Sequence, residues 1–182
     1  GFDIASYEEV VNGIGVTLNL KTGVNTGIAL GDSYSGIELY KGTNYGDTFV
    51  SGAAADSFDG LQGGDILDYS TSAQAISILS SAVNAGTGTG GDALGDSFIN
   101  VETVIGSAFN DTFTLNGGGL SLNGAAGNDI YIINGYFNGA IIEAAGGGID
   151  ELFTNQADMT LAANVERLTY TGTGNFTGRG NA

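Results

Sequence analysis

Residues 42–68, broken every nine residues, read GTNYGDTFV, SGAAADSFD, GLQGGDILD. The sixth place of the three units holds Asp47, Asp56 and Asp65, and the eighth holds Phe49, Phe58 and Leu67. A carboxylate and a large apolar side chain keep phase through three consecutive units, and self-similarity at a fixed period marks a repeat architecture. The frame returns over 106–132 as GSAFNDTFT, LNGGGLSLN, GAAGNDIYI. There the sixth place reads Asp111, Leu120, Asp129 and the eighth reads Phe113, Leu122, Tyr131. The middle unit loses its acid and keeps its apolar residue, so the two places answer to different demands, ligand and core.

A unit of this kind divides into a turn of six residues and a strand of three, in which only the central side chain points inward. Two units make one coil, so residues eighteen apart stack and residues nine apart lie on opposite edges. Asp47 is expected to share an edge with Asp65, and Asp111 with Asp129. Asp56 is expected on the far edge with no in-frame acid beside it. Stacked carboxylates repel at low dielectric. A Ca²⁺ between them, its oxygen shell completed by turn carbonyls, turns that repulsion into attraction. Asp47, Asp65, Asp111, Asp129 and Asp56 are therefore the candidate metal ligands, and the eighth-place aromatics are core.

A longer period overlies the short one. GDSYSGIELYKGTNYGDTF from Gly31 matches GDSFINVETVIGSAFNDTF from Gly95 at a displacement of 64. DIASY at Asp3 resembles DILDY at Asp65, and NVERL at Asn164 echoes NVETV at Asn100. The chain divides into repeats at 1–63 and 64–128 and a partial third at 129–182, read as one continuous solenoid. Glu38, Glu102 and Glu166 recur in matching contexts, as buried partners of backbone amides or as edge-facing acids. Asp32 and Asp96, in matching GDS contexts, are expected to cap turns. Alternation such as Val16, Leu18, Leu20 predicts strands. Only 139–145 and 161–168 offer short helical candidates, so the expected class is all-β.

Composition narrows the chemistry. Twenty acidic residues face four basic ones, Lys21, Lys41, Arg167 and Arg179, for a net charge of −16. Such a chain repels phosphate, which argues against nucleic acid and anionic membrane surfaces as partners. The absence of Cys and His removes thiolate and imidazole ligands, leaving oxygen sites and calcium as the expected cofactor. The missing general base and scattered positive charges argue against an enzyme. GTGTGG at Gly86 lacks the lysine and helix of a phosphate loop. No apolar run reaches membrane-spanning length, and no N-terminal signal peptide is visible.

At the nonapeptides the chain resembles the repeats-in-toxin family, the hemolysin-type calcium-binding repeats, whose unit is G-G-x-G-x-D-x-hydrophobic-x. GAAGNDIYI is the nearest copy, with GLQGGDILD and GSAFNDTFT looser. The spacer at 67–113 and the segment at 141–175 also resemble stretches of large members. The resemblance implies a right-handed parallel β-roll with calcium in its turns, type I secretion, and a place outside the cell or on a bacterial surface. It implies a calcium-binding structural or interaction module of an adhesin, surface layer or extracellular filament. The alternative is a non-catalytic, calcium-binding appendage of a secreted polysaccharide-modifying enzyme or toxin. Leu120, Ser51, Leu61 and Leu115 depart from the pattern and imply reduced calcium occupancy. Neither Gly1 before DIASY nor GRGNA from Gly178 reads as a cap, so further repeats or head-to-tail self-association are expected.

Overall fold

The computed structural model describes residues 1–9 and 13–181, so Ala182 of the closing GRGNA lies outside the described residues. Two sheets carry nearly all of the regular structure. The first runs in the order β1 (Ile4–Ser6), β3 (Leu39–Lys41), β5 (Ser57–Asp59), β9 (Ser97–Ile99), β8 (Ala85–Thr89), β7 (Ser77–Ala82), β11 (Thr112–Leu115), β13 (Ile130–Ile133), β15 (Glu151–Thr154), β17 (Arg167–Tyr170). The second runs β2 (Thr17–Asn19), β4 (Thr48–Val50), β6 (Ile66–Asp68), β10 (Thr103–Ile105), β12 (Ser121–Ala125), β14 (Ile141–Glu143). β16 (Asp158–Thr160) and β18 (Thr177–Arg179) form a separate pair. The fold is all-β and its sheets are parallel, apart from β8, which runs antiparallel between β7 and β9.

The nonapeptides fall where their pattern places them. Each gives a strand at its last three places, and the eighth residue is buried: Phe49, Phe58, Leu67, Phe113, Leu122 and Tyr131. The chain passes from one sheet to the other at each unit, so residues eighteen apart pair, as in Thr48 with Ile66 and Thr112 with Ile130. The inward rings stack along and across the sheets. Phe113 and Tyr131 stack with ring centroids 5.3 Å apart and planes nearly parallel, and Phe49 meets Phe58 from the opposite sheet at 5.3 Å. Burying each such ring contributes roughly 1.5–3 kcal/mol, which strands of three residues need.

The spacers do not continue this geometry. Residues 77–89 double back as a hairpin, and β9 comes to lie beside β5, pairing Ser57 with Ser97. GTGTGG lies largely in β8, where a Cβ on Gly86 would lie 2.7 Å from the Phe98 ring. The glycine there makes room for an aromatic core residue. Neither short helical candidate is helical: β14 lies within the first, and the second is turn and irregular chain up to the start of β17.

One relation was hidden in the sequence. The displacement of 64 carries β3, β4, β5 and β6 onto β10, β11, β12 and β13, seven strands further on. With the hairpin strands lying in one sheet, this step exchanges the sheets. The Asp47–Asp65 pair therefore lies at the second sheet and the Asp111–Asp129 pair at the first.

Candidate metal centre

Four of the acidic turns begin with a glycine whose missing side chain is replaced by the carboxylate five residues later. A Cβ on Gly42, Gly60, Gly106 or Gly124 would collide with the carboxylate of Asp47, Asp65, Asp111 or Asp129, respectively. The aspartates fold back beneath the turn and are all but fully buried.

There they serve the backbone first. Val16 donates its amide to Asp47 Oδ1 at 2.7 Å, Asp47 to Asp65 Oδ1 at 2.7 Å, and Asp65 to Glu102 Oε2 at 2.8 Å. At the other sheet Ile76 donates to Asp111, Asp111 to Asp129, Asp129 to Asp150 and Asp150 to Glu166, all within 2.7–2.8 Å. Each carboxylate thus satisfies an amide at the start of the neighbouring strand. Glu38, Glu102 and Glu166 prove to be amide partners, the first two half-buried and Glu166 exposed, and each ends a ladder. Their own amides return to the carbonyls of Asp3, Asp65 and Asp150 at 3.1–3.2 Å. Glu102 consequently asks nothing of Leu120, which explains why that unit dispenses with its acid.

Asp56 departs from expectation. It has acidic neighbours, because β3 places Glu38 on one side and the hairpin brings Asp96 to the other, where Asp96 Oδ1 accepts the Asp56 amide at 2.9 Å. Asp96 is likewise no simple turn cap. It is buried and also accepts hydrogen bonds from Ser51 at 2.8 Å and Tyr69 at 2.9 Å. Asp32, its sequence counterpart, is exposed and accepts a hydrogen bond from the Tyr7 hydroxyl. No described residue donates to the Asp56 carboxylate, which lines a cavity of about 370 Å³ with Glu38 and Tyr40.

The ladder rungs are of two kinds. Asp47 Oδ2 accepts the Thr43 amide at 2.6 Å, and its Oδ1 also accepts the Thr43 hydroxyl at 3.0 Å. Ser107 treats Asp111 in the same way, at 2.6 and 2.7 Å. At the next rung the turn's second residue, Leu61 or Ala125, adopts a left-handed conformation with φ of 65° or 71°. Its amide then donates to the preceding Asp59 or Asn123 side chain instead. Asp65 Oδ2 and Asp129 Oδ2 are left buried with no partner among the described residues.

Around Asp129 two more carboxylates gather. Asp150 and Glu143 also have unpartnered buried oxygens, and Asp129, Glu143 and Asp150 each bring a ligand oxygen within 4.8 Å of the others. Burial, with repulsion from the neighbouring acids added, pushes Asp129 up to about 8 and Glu143 up to about 7; Asp150 is raised by burial and by Glu166. Asp65, buried beside Asp47 and Glu102, is pushed up to about 7. An all-oxygen, multiply anionic donor set suits a hard divalent cation.

Asp150 and Glu143 lie outside the nine-residue frame. AGGGIDELF at 145–153 is nonetheless a nonapeptide with Asp150 in its sixth place, displaced 21 residues from Asp129. A phase slip of three residues concealed it. Glu143 had no signal of its own, because it enters where β14 crosses β12 with a shift in register. Compared with family models, with curated proteins and with solved structures, the chain matches none.

Proposed function

We propose that the chain is a calcium-binding parallel β-solenoid, of the right-handed β-roll kind, serving as a structural or interaction module of a secreted or surface-exposed bacterial protein. The observation that carries this reading is the recurrence of one unpartnered, buried oxygen, Asp65 Oδ2 and Asp129 Oδ2, in two turns 64 residues apart. Such oxygens are costly to leave bare and are satisfied by a cation. The charge of −16 makes the same demand of the whole chain. A structural role suits the basic residues, since Lys21, Lys41 and Arg179 are held in ion pairs with Asp92, Glu8 and Asp158. Extracellular modules commonly bind calcium at about 10⁻⁴–10⁻³ M, a range matched to an environment outside the cell. Equilibrium dialysis with calcium, together with circular dichroism in chelator and in millimolar calcium, tests the reading. Calcium uptake with a gain in β signal and melting temperature is expected; no uptake and identical melting overturn it.

A further inference from the structure

We propose that Asp129, Glu143 and Asp150 hold one divalent cation of the calcium class, and that this ion latches the last strand of the second sheet to the first sheet. The inference rests on the calcium reading above and singles out one site within it. One oxygen of each carboxylate is already committed. Asp129 Oδ1 accepts the Asp111 amide, Asp150 Oδ1 accepts the Asp129 amide, and Glu143 Oε1 accepts the Tyr131 hydroxyl. The remaining Oδ2, Oε2 and Oδ2 are buried and unpartnered in residues 1, 8 and 1% exposed. Three carboxylates thus face one another with an uncommitted oxygen each, and three of the four basic residues are engaged in ion pairs elsewhere.

Glycines keep the place open. A Cβ on Gly124 would collide with Asp129 Oδ2, Glu143 Oε1 and the Tyr131 hydroxyl. A Cβ on Gly147 would lie 2.8 Å from the Ala125 carbonyl oxygen, 3.1 Å from that of Ala144 and 3.6 Å from Glu143 Oε2. Carbonyl oxygens therefore border the carboxylates, the mixed donor set that calcium favours and that Mg²⁺, with its demand for a regular octahedron, does not.

The site also differs from its counterpart 64 residues earlier. A Cβ on Gly60 would meet Asp65 Oδ2 and the Asn100 carbonyl. At Gly124 a glutamate side chain stands in place of that carbonyl and adds a third carboxylate with an uncommitted oxygen, whereas Asp59 beside Asp65 already accepts from the Leu61 amide and the Asn100 side chain. Affinity in oxygen sites rises with ligand charge, so the trio is the tightest site of the chain. β14, which supplies Glu143, is the last strand of the second sheet, while Asp129 and Asp150 precede β13 and β15 of the first. An ion here ties the two sheets where the second one ends, and residues 144–181 depend on it for docking.

The test uses the whole chain with Ca²⁺ and Tb³⁺ as probes, Tb³⁺ being read by tyrosine-sensitised emission. E143Q is expected to lose the tightest calcium equivalent, or to bind it at least about tenfold more weakly. In saturating calcium it is expected to be cleaved by protease within 144–181, as the wild type is in chelator. Y131F, which removes the tyrosine nearest the site, is expected to reduce emission per bound Tb³⁺ by half or more. Should E143Q fold poorly, the Y131F measurement decides alone. Unchanged affinity in E143Q, or unchanged emission per ion in Y131F, in a protein that binds calcium overturns the latch and leaves the wider reading standing. A wild-type chain that binds neither ion overturns both.

Discussion

The amide of Asp111 donates to Oδ1 of Asp129 across 2.7 Å, and Asp47 makes the same bond to Asp65. A second-rung aspartate is thereby divided, one oxygen fixing the neighbouring backbone and the other left without a protein donor. A first-rung aspartate is not divided, because Thr43 or Ser107 supplies an amide and a hydroxyl to it. The same residue in the same place of the repeat does two different jobs, and the conformation of the turn's second residue decides which.

The two jobs separate on mutation. Asp47→Asn removes an acceptor from the buried Thr43 amide, and stranding such a donor costs roughly 1–3 kcal/mol. That loss is expected in chelator and in calcium alike. Asp65→Asn retains an oxygen for the Asp47 amide and removes a buried charge, so it is expected to be mild in chelator and to reduce the stabilisation that calcium gives. Urea unfolding of both variants with and without calcium reads the difference. Indistinguishable behaviour would show that the rungs are equivalent.

Metal-free stability is expected to fall as pH rises. Asp129 is raised to about 8, and Asp65 and Glu143 to about 7, in the folded state, whereas in the unfolded chain they return to the ordinary carboxylate range near 4. Between those limits the folded protein holds more protons than the unfolded one, so stability is present at low pH and lost through the folded values. Melting in chelator is therefore expected to be higher near pH 5 than near pH 8, with millimolar calcium flattening the slope by taking the protons' place. A metal-free protein that melts equally well at both ends contradicts the burial of these acids.

Two glycines four residues apart should respond oppositely to alanine. At Gly60 a Cβ overlaps the Asp65 carboxylate and the Asn100 carbonyl, and overpacking of this kind costs about 1–3 kcal/mol. At Gly64 a Cβ meets nothing within 4 Å. There alanine is expected to be neutral or to stabilise by about 0.4–1 kcal/mol through the unfolded chain. Thermal melts of Gly60→Ala and Gly64→Ala distinguish them, and equal losses would mean that glycine serves flexibility alone.

The nine-residue frame was legible because its two constraints, a buried ring and a buried carboxylate, each recur in the residue that bears them. Phe49 and Phe113 in the core, and Asp47 stacked on Asp65, follow from it directly. What was not legible depended on partners supplied at irregular spacing. Asp96 reaches Asp56 only because residues 77–89 turn back on themselves, and Asp150 reaches Asp129 only after a slip of three residues. The exchange of sheets between repeats follows from the hairpin, which no single unit encodes. Glu143 is set by a register shift between strands, a property of two segments together.

Asp56 and Leu120 hold the same place in two copies of the repeat, 64 residues apart. In both copies the glutamate eighteen residues earlier, Glu38 or Glu102, sends its amide to a carbonyl at 3.1 Å and needs no carboxylate from this place. Asp56 is thus surplus to the ladder, and burial beside Asp96 and Glu38 pushes its carboxyl up to about 6. Asp96 spends its carboxylate oxygens on Asp56, Ser51 and Tyr69, and Glu38 Oε2 is taken by the Asp3 amide, so no three uncommitted oxygens converge here as they do around Asp129. Asp56→Leu is therefore expected to raise stability in chelator at neutral pH and to leave the tight calcium count unchanged. Leu120→Asp buries a charge with no partner in the core and is expected to destabilise strongly. Calcium dialysis and melting of the two variants decide the matter. Loss of a tightly bound ion from Asp56→Leu would show that the frame's sixth place is a ligand position in its own right, whatever the ladder requires of it.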